Sequence, residues 1–87
     1  MAKSRLKQLL RQVIDGRGSM RFRDFEALLE ALGFKLVRRK GSHRIYLHPK
    51  AGRPFPVQPE GSEAKWYQRR ELRDMIQKHD LTLDPGA

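Results

Sequence analysis

The sequence contains no cysteine. That excludes a disulfide framework and every thiolate metal site, and it suits a reducing compartment. No apolar run approaches the length a membrane-spanning helix needs. The opening Met1-Ala2-Lys3-Ser4-Arg5 has none of the apolar core of a secretory signal. A cytoplasmic chain with no membrane partner is the expectation. Histidine is scarce, with three in 87 residues. Gly16-Arg17-Gly18 follows no strand and lacks the lysine of a phosphate-binding loop. Internal repeats and low-complexity segments are absent, and the length is that of one small domain with a modest core.

Acid is missing from the middle of the chain. Nineteen Lys and Arg oppose ten Asp and Glu, a net charge of +9. Residues 35–53 hold seven bases (Lys35, Arg38, Arg39, Lys40, Arg44, Lys50 and Arg53) and no acid. Residues 1–23 hold seven more bases against Asp15 alone. Cations packed this densely repel one another unless a polyanion neutralises them. A nucleic acid is the expected partner. A membrane surface fits less well, because the block has no amphipathic helical pattern.

Apolar spacing sets the order of elements. Leu6, Leu9, Leu10, Val13 and Ile14 form one face of a helix over residues 4–14, with Ser4 as its expected N-cap. Phe22, Phe25, Leu28, Leu29 and Leu32 form the stripe of a second helix over 24–32. Gly33 suits its left-handed end, and Phe34 folds back onto Leu29. Strands are expected at 34–39, 43–48 and 55–58, the first two joined by a tight turn at Lys40-Gly41-Ser42. The prolines around the third strand argue for an edge. Residues 59–62 read as a loop. A last helix spans 67–79 with Leu72, Met75 and Ile76 inward; Leu81 and Leu83 dock after it.

The fold class is α+β: a three-stranded antiparallel sheet with helices on one face, in the order helix-helix-strand-strand-strand-helix. Residues 1–19 form an N-terminal extension, 20–83 the main domain and 84–87 a frayed tail. Alternation along the second strand puts Ile45 and Leu47 toward the core. It leaves Arg44, Tyr46 and His48 on the open face, with Lys35, Val37 and Arg39. Basic residues around a ring suit RNA, whose phosphates meet cations and whose bases stack.

Few residues are equipped for catalysis. His43 and His48 lie an odd number of positions apart on one strand, so they point to opposite faces and cannot share a metal. The acids Asp24, Glu26, Glu30, Glu71 and Asp74 read as solvated helix faces. No metal and no small-molecule cofactor is expected. His43 stands apart, entering its strand after a glycine turn and flanked by Arg38, Arg39, Lys40 and Arg44. Imidazole exchanges a proton near neutral pH. RNA carries its own nucleophile, the 2′-hydroxyl, so a catalyst need only move protons and stabilise charge on phosphorus. On spacing alone, a histidine that merely closes a hairpin fits equally well.

Leu32-Gly33-Phe34 followed by Val37-Arg38-Arg39-Lys40-Gly41-Ser42-His43-Arg44-Ile45-Tyr46 resembles the HicA family of toxins, small RNA-cleaving proteins of bacterial toxin–antitoxin pairs. Val57-Gln58-Pro59-Glu60-Gly61 and Ala64-Lys65-Trp66-Tyr67-Gln68 are similar to a longer branch of that family. The resemblance covers roughly residues 22–83. It implies a fold similar to double-stranded-RNA-binding domains and cleavage of mRNA without a metal. It also implies His43 as the catalytic histidine, with Gly41 and Ser42 as motif neighbours, and a HicB-like antitoxin covering the site. Arg38, Arg39, Lys40, Arg44 and Tyr46 are the expected RNA contacts. The sequence departs from the family in its first helix and at Gln58-Pro59, where many members carry a histidine after a proline. Two other readings use the same basic face: a non-catalytic RNA-binding module, and a protein-interaction domain for an acidic partner.

Overall fold

A computed structural model describes residues 2–83; the expected tail at 84–87 lies outside them. Helix α1 spans Lys3–Asp15 and α2 spans Phe22–Ala31. Strands β1 (Lys35–Lys40), β2 (His43–Leu47) and β3 (Phe55–Val57) form an antiparallel sheet in that order. A small hairpin, β4 (Pro59–Glu60) and β5 (Glu63–Ala64), leads into α3 (Trp66–His79). This is the α+β order that the apolar spacing predicts.

The core lies between the helices and one face of the sheet. Leu9 and Val13 of α1, Phe25, Leu28 and Leu29 of α2, and Leu72 and Met75 of α3 meet Tyr46, Phe55 and Val57 of the sheet. Phe25, Phe34 and Phe55 form a chain of rings 6.0–6.4 Å apart. Leu81 is buried after α3, and Leu83 packs partly against the core. Pro56 lies in β3, which is an edge strand, the position in a sheet where proline is tolerated.

The end of α2 is set by Gly33. Its backbone φ is +102°, a conformation side-chain-bearing residues avoid. The Gly33 N–H bonds to the Glu30 carbonyl and the Phe34 N–H to the Leu29 carbonyl, both at 3.0 Å. That pattern closes the helix and turns Phe34 into the core. At the far end of the chain's first helix, the sequence expectation is corrected. The N-cap of α1 is Ala2, with no side-chain cap, because Ser4 is already inside the helix and its backbone no longer has a cap's extended shape.

Residues 59–62 are a hairpin, not a plain loop. Gly61-Ser62 repeats the Gly-Ser chemistry of the turn at 41–42 and joins two short strands. Their pairing is fastened to the start of α2: Phe22 N–H donates to the Ser62 carbonyl and Ala64 N–H to the Met20 carbonyl, each at 2.8 Å.

A methyl group added at Gly33 would sit 3.0 Å from His48 Nε2, in addition to the strain of the positive φ. Gly33→Ala is expected to lower the unfolding free energy by about 1–2 kcal/mol, measured by urea denaturation against the parent protein.

Candidate active site and nucleic-acid interface

The sheet presents its faces in the opposite sense to the alternation argument. Tyr46 is 1% exposed, within the core. Its hydroxyl donates to Glu26 Oε2 at 2.7 Å. Arg44 Nε lies 3.0 Å from the same oxygen in an ion pair, and the Arg44 guanidinium lies 5.2 Å from the centre of the Phe22 ring. His48 Nε2 meets the Leu32 carbonyl at 2.8 Å, while its Nδ1 accepts the Lys50 N–H at 3.0 Å. These two bonds fit the tautomer with its proton on Nε2. Arg44, Tyr46 and His48 therefore face the helices, and the expectation that they line the open face is corrected. Tyr46 has no free ring face for a base. The physical reason is that each has a polar tip satisfied by α2 or its C-terminus, so its apolar body can be buried.

The other parity faces solvent. Register pairs Lys40 with His43, Arg38 with Ile45 and Lys35 with Leu47. Directly opposed residues share a face, so Lys35, Arg38, Lys40, His43, Ile45 and Leu47 lie together there. An irregularity between Leu36 and Arg38 shifts the pairing by one residue. That bulge brings Arg38, not Val37, opposite Ile45. Arg39 pairs with Arg44 and so points to the helix side, at an exposed edge. The expected basic set is thus divided: Arg38 and Lys40 accompany His43, while Arg39 and Arg44 do not.

His43 is exposed at the first position of β2. The difficulty raised by alternation, that His43 shares a face with Ile45 and Leu47, disappears because that face is the open one. Gly41-Ser42 is a two-residue turn with φ of +60° at Gly41. Glycine first and serine second is the chemistry of a tight hairpin turn that matches strand twist. The turn sets Lys40 directly across from His43, at a Cβ separation of about 5 Å. Arg44 also donates to the Ser42 carbonyl at 3.2 Å, which holds the turn beside the histidine. No carboxylate lies among the sheet residues of this face. What it can do chemically is bind a phosphate and exchange a proton next to it.

Sequence reasoning passed over Glu26 as a solvated acid. Its signal was its place in the apolar line Phe22, Glu26, Leu29, one helical face. Arg69 was missed in the same way: it is 6% exposed, and its guanidinium donates to the Gly18 and Arg17 carbonyls at 2.7 and 3.0 Å. Among the described residues, no three His, Asp or Glu side chains are grouped to hold a metal ion, and no helix is long and apolar enough to cross a membrane.

Residues 22–80 match the family described as HicA toxin of bacterial toxin–antitoxin. The chain belongs to the HicA toxin family. Comparison with curated proteins and with solved structures gave no match. Membership implies, in general, RNA cleavage and an antitoxin partner. In this HicA-family chain the helix α1 precedes the matched segment. The Gly41-Ser42-His43 turn and the open sheet face both fall inside it.

Burial pushes the Tyr46 phenol far above its ordinary value, and the adjacent Glu26 carboxylate adds to the effect. The raised group favours folding fully while the unfolded phenol is still protonated, below about pH 10. Above that, only the unfolded chain ionises, and stability should fall by up to about 1.4 kcal/mol per pH unit through this one group. Denaturation curves from pH 9 upward should therefore show a steeper loss in the parent than in Tyr46→Phe. Equal slopes would remove the phenol from the account.

Proposed function

We propose that this HicA-family protein is an endoribonuclease that cleaves mRNA by metal-independent acid–base chemistry on His43 in the cytoplasm. The observation that carries the reading is the placement of exposed His43 on a cationic sheet face opposite Lys40, with no acid on the strands around it.

In the proposed reaction, His43 takes the proton of a 2′-hydroxyl as that oxygen attacks the adjacent phosphorus. The bond to the 5′-oxygen breaks, leaving a cyclic phosphate on one product and a 5′-hydroxyl on the other. The departing oxygen receives its proton from Lys40 or a water molecule. Lys40 and Arg38 offer donors to the phosphate oxygens where charge grows. Ser42 and Gly41 act through the turn, by fixing where the imidazole stands. Arg44 is a positioning residue on this reading, tied to Glu26 and to the Ser42 carbonyl, and Arg39 lies at the edge as a longer-range phosphate contact. The nucleophile belongs to the RNA, so the reaction needs no metal.

The reaction is assigned to residues 20–83. Residues 1–19 contribute α1, whose Leu9 and Val13 complete the core. The proposed inhibitor is a HicB-like antitoxin that covers the open face. A complementary surface on it would be acidic, with apolar groups for Val37 and Leu47, which are 54% and 37% exposed.

His43→Ala is expected to cut the rate on purified mRNA by about 10²–10⁴ while RNA affinity survives. Parent activity should persist in excess chelator. Full cleavage by His43→Ala, or loss of cleavage on chelation, would refute the assignment. Binding without any cleavage by the parent would favour a passive RNA-binding module instead.

A further inference from the structure

The single tryptophan of the chain, Trp66, is 67% exposed at the start of α3. An indole left this open offers a large flat apolar surface with a binding use. Tyr67 beside it is 45% exposed and stands edge-on to the indole at 6.3 Å, with the Lys65 ammonium 5.8 Å from the phenol ring centre. Trp66 lines a surface pocket of about 350 Å³ together with Arg69, Arg70 and Arg73, and with Val13 and Gly16 of the α1 end. No acid lines it.

The three guanidiniums differ in how far they are already committed. Among the described residues, Arg70 forms no ion pair, and Arg73 contacts only the neighbouring carboxylate of Asp74, at 3.2 Å. Arg69 is almost wholly buried, yet its Nε–H finds no acceptor. That atom is closed to solvent and the rest of the Arg69 guanidinium is bonded to the Gly18 and Arg17 carbonyls, so the guanidiniums open to a ligand are those of Arg70 and Arg73. The first turn of the 14-residue α3 adds free backbone N–H groups near Trp66 and favours negative charge there. A flat ring beside donors for an anion matches one ligand chemistry, a nucleobase with its phosphate.

We propose that this pocket holds one nucleotide of single-stranded RNA, its base stacked on Trp66 and its phosphate held by Arg70 and Arg73. The inference rests on RNA being the substrate, and it adds a strand-holding site that shares no residue with the His43 turn. The strand must be unpaired here, because a base within a duplex has no free face for the indole.

Trp66 reports on its own site, since no other indole contributes to the emission. The His43→Ala protein is titrated with a short single-stranded oligoribonucleotide, and separately with the duplex of the same sequence. Indole emission and the anisotropy of labelled RNA are both followed. The single strand should quench the emission, and the duplex should not. In the same background, Trp66→Ala and the pair Arg70→Gln, Arg73→Gln should each weaken single-strand binding by at least about five-fold. Trp66→Phe, which keeps a ring, should restore most of the loss. Trp66 and Arg70 are exposed and Arg73 is half-buried, and matched thermal melts confirm folding. RNA binding with unchanged emission and unchanged affinity in Trp66→Ala overturns this site while leaving the His43 assignment standing. Equal quenching by duplex overturns the stacked base. A parent protein that neither binds nor cleaves RNA overturns both readings.

Discussion

One carboxylate orients the sheet. Glu26 of α2 accepts a hydrogen bond from the Tyr46 hydroxyl at 2.7 Å, and the same oxygen forms an ion pair with Arg44 Nε at 3.0 Å. The Arg44 and Glu26 side chains are only 16% and 20% exposed, so solvent screens the pair weakly. The hydrogen bond from the Tyr46 hydroxyl to this charged group is of a kind that contributes about 1.5–3 kcal/mol. Without Glu26, the phenol would lose its acceptor and the guanidinium its counter-charge against α2. With it, both can lie over the Phe22 and Phe25 side of the core. Strand residues alternate, so turning Tyr46 and Arg44 inward turns His43, Ile45 and Leu47 outward.

The cationic open face follows from that choice. Outward-facing Lys35, Arg38 and Lys40 come from β1, and His43 comes from β2, so the cationic face exists only once the hairpin has formed. Arg44 serves both sides of the sheet. Its head is anchored on Glu26 within the fold, and it also reaches the Ser42 carbonyl of the turn that carries His43. Packing of α2 is thereby linked to the position of the imidazole. A second cationic surface lies at the start of α3, where Trp66 and three arginines meet the end of α1. The family match begins at residue 22, yet Val13 and Gly16 of the preceding segment line this pocket. The first helix therefore has a place in the chemistry of the surface as well as in the core.

Much was legible in the residues because the signals were local. The stripe Phe22, Phe25, Leu28, Leu29 and the glycine at 33 are read within one helix and its end. The Gly41-Ser42 turn is read within two residues. The acid-free block at 35–53 is read by counting, and His43 stands out because so few other residues can move a proton. The second Gly-Ser turn, at 61–62, carried the same signal as the first, but its strands are two residues each and too short to show a period.

The chain alone settled the α+β class, the order of the helices and the three main strands and the tight turn at 41–42, and it singled out His43 as the candidate catalytic residue. It left open which parity of β2 is buried. Apolar residues occupy both parities, Ile45 and Leu47 on one and the Tyr46 ring on the other, so alternation establishes that two faces exist without choosing between them. The choice depends on a partner 20 residues away, the Glu26 carboxylate, which makes a polar tip acceptable inside. Three-dimensional packing thus put Tyr46 and His48 in supporting roles and separated Arg44 from Arg38. It brought His43 out of the core and into the open beside Lys40.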